Sequence, residues 1–493
     1  MKRTQTYELA FPVRPDGVPA YEWIYSSLRQ QILEGRLRPG LRLPATRDLA
    51  RQLSLSRGTI VEAFDQLKAE GYVNGAVGSG THVRRIPPDA LIRVPPFPPK
   101  TPQQPSRRQW SAFARRVRLF PGFENRPTRP FRTDLPALEL FPVDLWSRIC
   151  TRRFRSASTK LLLGCEPLGF RPLREMIADY LVSSRGVQCS PDQVVIVSGV
   201  QEAIDLVARM FVGAGGRVCM EDPGYPGAAN VFEALGAELS FAAIDSEGMV
   251  FDSTALRNAR LVYLTPAHQF PTGSTMSIAR RLAFIEWARR SGALILEDDY
   301  DSEFRYSSRP VPAMQGLDPY GHVLFAGSFS KVLFPSLRLG YLVVPVDLVE
   351  KFAAALSITA RHMPLLEQAI VCDFLAEGHF ARHLRRMREL YAERLTVLVE
   401  SIGQKLSGVF QLSEIEAGLQ TAGWFKTSVD SRGVAQAAAV RNIDVVPLSR
   451  FAHRPMKQDG LQLGFAAISP REIRHGASLL AAAIDDSMRA KCK

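Results

Sequence analysis

The residues best suited to chemistry lie in the stretch Ser328-Phe329-Ser330-Lys331-Val332-Leu333-Phe334-Pro335-Ser336-Leu337-Arg338. A lysine stands among small hydroxyl residues, directly after the apolar run Val323-Leu324-Phe325-Ala326, and an arginine follows seven residues on. A lysine that attacks an aldehyde must sit on a short turn, partly desolvated so that its neutral amine is accessible, near groups that fix a phosphate. Lys331 fits that Schiff-base role, with Ser328, Ser330 and Arg338 as the phosphate groups. Ser-x-Ser-Lys also occurs in polar surface turns, so a second signal is required.

Ala293-Leu294-Ile295-Leu296-Glu297-Asp298-Asp299-Tyr300-Asp301 supplies it, as an apolar strand running into acids with one tyrosine. Pyridoxal phosphate draws electrons only while its ring nitrogen stays protonated, and a carboxylate held beside that nitrogen ensures this. Alternate residues of an extended segment point the same way, so Tyr300 can reach the ring's phenolic oxygen from the side that Asp298 occupies.

These residues need strands to hold them. Val194–Val197, Arg217–Met220, Leu261–Leu264, Ala293–Leu296 and Val323–Ala326 are short apolar runs separated by helical patterns. Such a chain builds a mostly parallel sheet covered on both faces, with ligands at the strands' C-terminal ends. Ser198-Gly199-Val200-Gln201 follows one strand and opens a helix, so the amides of Val200 and Gln201 can cradle a phosphate. The smaller lobe that closes on ligand is expected from about Pro345 onward.

The full length of 493 residues suggests roughly three domains. Residues 1–132 carry 23 Lys and Arg against 10 Asp and Glu, whereas the rest carries 39 of each, so the whole excess of +13 lies in the first quarter. A basic segment on a neutral body is the footprint of a polyanion-binding module. Six cysteines show neither C-x-x-C nor metal-ligand spacing, so no metal and no disulfide framework are expected. No apolar run approaches the length that spans a bilayer, and the N-terminus lacks a signal-type apolar core, so a cytoplasmic protein is expected.

Within the basic part, Tyr21–Gly35 reads as a helix, Thr46 caps a second helix through Leu53, and Ser56 caps a third through Glu70. Two short helices joined by a tight turn form a helix-turn-helix at 46–65, whose second helix enters a major groove of double-stranded operator DNA. Ser56, Arg57 and Thr59 then face bases or phosphates. Asn74–Val83 reads as a wing whose glycines, Gly78 among them, permit close backbone approach to DNA. From 87 to 130 the density of proline, interleaved with Lys100, Arg107, Arg108, Arg115, Arg116 and Arg118, implies an extended spacer without regular structure.

Residues 18–86 resemble the GntR-family winged helix-turn-helix, and residues 131–485 resemble a fold-type I, class I aminotransferase. Together they resemble the MocR/GabR class of pyridoxal-phosphate-dependent regulators. The resemblance rests on Glu221-Asp222-Pro223-Gly224-Tyr225-Pro226, His268-Gln269-Phe270-Pro271-Thr272-Gly273, Glu297-Asp298-Asp299-Tyr300-Asp301-Ser302-Glu303-Phe304 and the Lys331 stretch, in that order. It implies that Tyr225 stacks on the cofactor ring, that Arg47 touches DNA, that Arg450 in Pro447-Leu448-Ser449-Arg450-Phe451 binds an effector carboxylate, and that the protein is a homodimer. It further implies that a small amino compound is sensed by displacing Lys331 as an external aldimine, in control of a catabolic or amino-compound operon. Net turnover is not expected, and the alternative is a working aminotransferase with a DNA-binding head. Two positions depart from relatives. Phe270 stands where many aminotransferases use asparagine on the cofactor's phenolic oxygen, and Gly227 stands where a GABA-sensing relative has an effector-binding arginine. The resemblance admits control of rhizopine catabolism, the role of the class's name-giving member, but no residue selects it.

Overall fold

A computed structural model describes residues 9–76, 80–85, 109–119, 127–306 and 311–491, and the chain divides into two compact units, Met1–Arg108 and Gln109–Lys493. In the first unit, α1 (Ala20–Leu33), α2 (Thr46–Gln52) and α3 (Arg57–Ala69) precede a hairpin of β1 (Val73–Ala76) and β2 (Gly80–Val83). Ile24, Leu28 and Ile32 recur at one-turn spacing on α1 and are buried with Leu49, Ile60, Phe64 and Leu67. α3 starts where the Ser56 hydroxyl accepts a hydrogen bond from the Thr59 amide at 3.1 Å, and it ends at Gly71, whose φ is +82°. Ser56→Ala is expected to lower the head's unfolding free energy by about 1 kcal/mol in denaturant titration. Thr46 does not cap α2: extended backbone ends at Ala45, so Thr46 is already the first helical residue and Ala45 occupies the cap without a side-chain bond.

The second unit is built on β3 (Val194–Val197), β4 (Arg217–Asp222), β5 (Glu238–Asp245), β6 (Gly248–Met249), β7 (Ala259–Leu264), β8 (Leu294–Asp299), β9 (Val323–Ser328) and β10 (Gly340–Val343). These form one sheet in the order β3-β10-β9-β8-β7-β4-β5-β6. The run β9-β8-β7-β4-β5 is parallel, while β10 is antiparallel to both neighbours. Helices cover both faces, so even the edge strand Val194–Val197 is buried at every residue. A second, antiparallel sheet of β11 (Phe410–Leu412), β12 (Gln420–Phe425), β13 (Val446–Pro447) and β14 (Gly460–Gly464), ordered β11-β12-β14-β13, makes the smaller lobe with helices His379–Leu406, Ser431–Val440 and Pro470–Lys491.

Part of the expected spacer is ordered on this unit. Ala112–Arg116 is a short helix whose Ser111 cap accepts from the Ala114 amide at 3.1 Å. It lies against helix Pro226–Leu235, with Arg116 over Gly236 and Phe113 beneath the Arg209 guanidinium. Its position is intelligible, because the prolines stop at Pro105 and resume only at Pro121. Further on, Pro130 and Phe131 accept hydrogen bonds from the amides of Asp444 and Gly464, both at 2.9 Å, which straps the entry to the body onto the smaller lobe.

Candidate cofactor site

The parallel strands deliver their C-terminal ends to one place, and the sequence motifs lie there. Lys331 follows β9 on a turn that ends in the short helix Pro335–Leu337. Its Nζ donates to the Asp134 carboxylate at 2.7 Å and to the Asp134 carbonyl at 3.0 Å. Asp298, at the end of β8, is buried; its Oδ2 accepts from the Tyr263 hydroxyl at 2.5 Å, and its Oδ1 has no partner among the described residues. Burial pushes this carboxyl up to about 7, opposed by the Tyr263 hydrogen bond and, more weakly, by the Lys331 charge. An orphaned acceptor on a desolvated acid is the feature that a protonated ring nitrogen would satisfy.

The phosphate end is equally specific. Gly199, at φ +130°, precedes helix Val200–Phe211, whose first amides, those of Val200 and Gln201 included, are unspent by the helix. A Cβ on Gly199 would lie 3.4 Å from Nη2 of Arg338, so the guanidinium rests against the helix start. Arg338 has left-handed backbone, φ +49°, a conformation that costs a non-glycine residue of order 1–3 kcal/mol and is typical of functional sites. Among the described residues no ion pair engages its guanidinium. Ser328 Oγ accepts from the Ser330 amide at 3.1 Å, while Ser330 Oγ is buried and unpartnered. Free arginine, orphaned hydroxyl and helix amides together suit a phosphate.

Two of the expected contacts are arranged differently. The Gln201 side chain is spent on positioning: its Nε2 donates to the Gly227 carbonyl at 2.8 Å, and its Oε1 accepts from the Tyr225 hydroxyl at 3.2 Å. This fixes the Tyr225 ring, which meets Phe270 edge-on at 5.6 Å. Tyr300 lies 3.1 Å from Nδ1 of His268, and that nitrogen is 2.8 Å from Asp301. The motif residue His268 thus shares the hydroxyl meant for the cofactor's phenolic oxygen. Sequence reasoning missed Tyr263 and Asp134 as neighbours of the site and gave His268, though part of a quoted motif, no role of its own, because their partners come from chain distant in sequence.

Arg450 is not brought to Lys331 by any described contact. It is exposed on the turn Leu448–Phe451, whose Phe451 ring packs on Phe270 at 5.0 Å. In the head, Arg47 and Arg57 are exposed, whereas Ser56 and Thr59 bond to each other at 2.8 Å as part of the helix cap. Gly78 lies outside the described residues. Arg42, which sequence reasoning passed over, is exposed and lies against Gly80 of the wing. Arg57→Ala is expected to weaken operator binding by roughly 1–3 kcal/mol if the side chain reads a base, and to lower the salt slope by about one if it grips phosphate. A titration at several salt concentrations separates the two.

The chain matches the family "Bacterial regulatory proteins, gntR family" over residues 20–83 and the family "Aminotransferase class I and II" over residues 152–478. It is 40% identical over 472 residues to the probable rhizopine catabolism regulatory protein MocR of Rhizobium meliloti, covering 95% of this chain and 94% of that one. The chain belongs to the MocR-type regulators, in which a GntR head is joined to an aminotransferase body. It is also 32% identical to the HTH-type transcriptional regulator TauR of Rhodobacter capsulatus, over 92% of this chain and 94% of that one. Among solved structures, the kynurenine aminotransferase of Pyrococcus horikoshii, in complex with PMP, superposes with a TM-score of 0.67 at 26% identity, covering 72% of this chain and 90% of that one. A MocR-type chain thus carries both a DNA-binding head and the aminotransferase fold. No described helix is long and apolar enough to cross a membrane.

Proposed function

We propose that this chain is a transcriptional regulator that holds pyridoxal 5'-phosphate on Lys331 and senses a small amino compound that displaces the lysine. The carrying observation is that Lys331, after β9, and the buried, half-satisfied Asp298, at the end of the neighbouring strand β8, lie at the C-terminal ends of adjacent parallel strands in a chain that also bears a GntR head. Bound there, the cofactor supplies an electron-withdrawing ring and an aldehyde carbon that exchanges one amine for another. Asp298 holds the ring nitrogen's proton, Tyr225 backs the ring, and Arg338 with Ser328, Ser330 and the amides of Val200 and Gln201 binds the phosphate. Tyr300 and His268 position a proton near the phenolic oxygen. Arg450 stands on the loop at the site's edge as a candidate contact for an anionic effector group.

In this reading residues 18–86 form the head, 87–130 the connection and 131–485 the sensing body. Two copies pair, placing two heads on a two-fold operator. A partner surface is available on the body. Leu163 is 82% exposed and Ile358 85% exposed, near the ends of helices Thr159–Leu163 and Val349–Thr359, and the turns after those helices meet where Gly164 lies beside His362. Effector affinity must differ between lobe arrangements for DNA binding to respond, and the coupling is then reciprocal.

The test is the absorption of the cofactor-loaded protein while amino acids, amino sulfonates and amino sugars are titrated. A shift of the lysine-bound band that persists supports a sensor. Accumulation of a keto product would instead support the aminotransferase reading, which the likeness to the kynurenine enzyme keeps in view.

A further inference from the structure

A cavity of about 760 Å³ opens at the N-terminal ends of β7 and β8, the end of the sheet opposite the one that carries Lys331 and Asp298. Each of these strands is six residues long, so roughly 20 Å of backbone separates the two places. Its size is that of a small-molecule site.

The lining differs from the rest of the body. From residue 133 onward the chain carries equal numbers of basic and acidic residues, yet Arg257, Arg260 and Arg290 line this cavity and none of the described residues lining it is acidic. Arg290 is engaged by Glu286 at 3.1 Å. Arg257 and Arg260 are exposed and have no ion pair among the described residues. The backbone places both of them. The Arg217 guanidinium donates to the Arg257 carbonyl at 3.0 Å, and Asn258 turns the chain with φ +58°. Arg260 is the extra residue of a bulge, because Arg217 pairs with Ala259 and Val218 with Leu261. A bulge re-aims a side chain, and bulges are over-represented beside sites.

Two aromatic residues complete the wall. Trp287 is partly exposed, and Phe251, 41% exposed, is braced edge-on against Phe284 at 5.3 Å. Guanidiniums complement a phosphate by charge and by paired hydrogen bonds, and an exposed aromatic face complements a planar ring. Inorganic phosphate or a DNA backbone would leave those rings uncovered. We infer that this cavity is a second ligand site, remote from the cofactor, for a small molecule that joins a planar ring to a phosphate ester. A nucleotide and a free B6 phosphate share that chemistry, and the experiment separates them. The inference does not rest on the reading of Lys331.

The test is calorimetric titration of the full-length protein, loaded with pyridoxal 5'-phosphate and freed of excess. The titrants are AMP, GMP and CMP, and pyridoxine 5'-phosphate, which has no aldehyde to react with surface lysines; adenosine and inorganic phosphate are the half-ligands. Saturable binding of a nucleotide or of pyridoxine 5'-phosphate is expected, about tenfold or more tighter than either half-ligand, since hydrogen bonds to charged groups contribute that much. Whichever binds tighter identifies the source. The double variant Arg257→Ala, Arg260→Ala should weaken that binding about tenfold or more and leave the lysine-bound band unchanged. Both side chains are exposed, and the wild-type comparison needs no variant to fold. The site is overturned if no ring phosphate binds up to about 1 mM, if inorganic phosphate binds as tightly as the ring phosphates, or if the ligand acts by displacing the cofactor. A smaller salt slope of DNA binding in the double variant, without any loss of ring-phosphate binding, overturns it too and makes the arginines a contact for the DNA backbone.

Discussion

Lys331→Ala is expected to abolish the absorption of lysine-bound cofactor and to lose the cofactor on gel filtration, while the head still binds DNA. The expectation follows from the site's construction. The only lysine that the described contacts bring to the Asp134 carboxylate is Lys331, so no neighbouring amine can replace it. The head has its own buried core, from Ile24 to Val83, and is a separate compact unit. Spectrum and DNA titration of one preparation check both halves. A variant that kept the band would remove the lysine from its role.

Asp298→Asn is expected to raise the cofactor's dissociation constant about a hundredfold, since truncating one side of a buried charge pair costs on the order of 2–5 kcal/mol. The same residue fixes a pH dependence in the cofactor-free protein. Burial raises this carboxyl to about 7, against an ordinary value of about 3.9. Between those values the folded chain holds a proton that the unfolded chain has released, so the folded state binds more protons there and stability falls as pH rises. The full effect of this one group is up to about 4 kcal/mol across the window, at about 1.4 kcal/mol per pH unit. Asparagine abolishes it. The unfolding free energy of the variant minus that of wild type should therefore grow from pH 4 to pH 7, and denaturant titrations at several pH values measure that difference directly. Glu221, likewise pushed up to about 7, is raised chiefly by burial, which is the same in both proteins, and least by the Asp298 charge, so most of its contribution cancels in the comparison.

Much of the site was legible because its residues sit at the ends of strands, where local sequence carries the signal. Lys331 after Val323–Ala326 and Asp298 after Ala293–Leu296 needed only an apolar run and the rule that ligands gather at strand C-termini. The residues that were not legible are joined by pairing across long separations. Tyr263 reaches Asp298 only because β7 and β8 are parallel neighbours. Asp134 reaches Lys331 across 197 positions. Composition averaged over a long window also hid the helix Ala112–Arg116, which occupies a gap between prolines. Thr46 shows the limit at single-residue scale: a good capping residue is not a cap when the backbone turns helical one position early.

The strap at Pro130–Phe131 and the helix Ala112–Arg116 hold one stretch of backbone at two points, one on the smaller lobe and one on helix Pro226–Leu235 of the larger. The chain that enters the body is thus anchored to each of its two lobes by backbone and side-chain contacts that lie outside the cofactor site, so a substitution at Phe113 or Phe131 alters how the lobes are tied without touching Lys331 or Asp298.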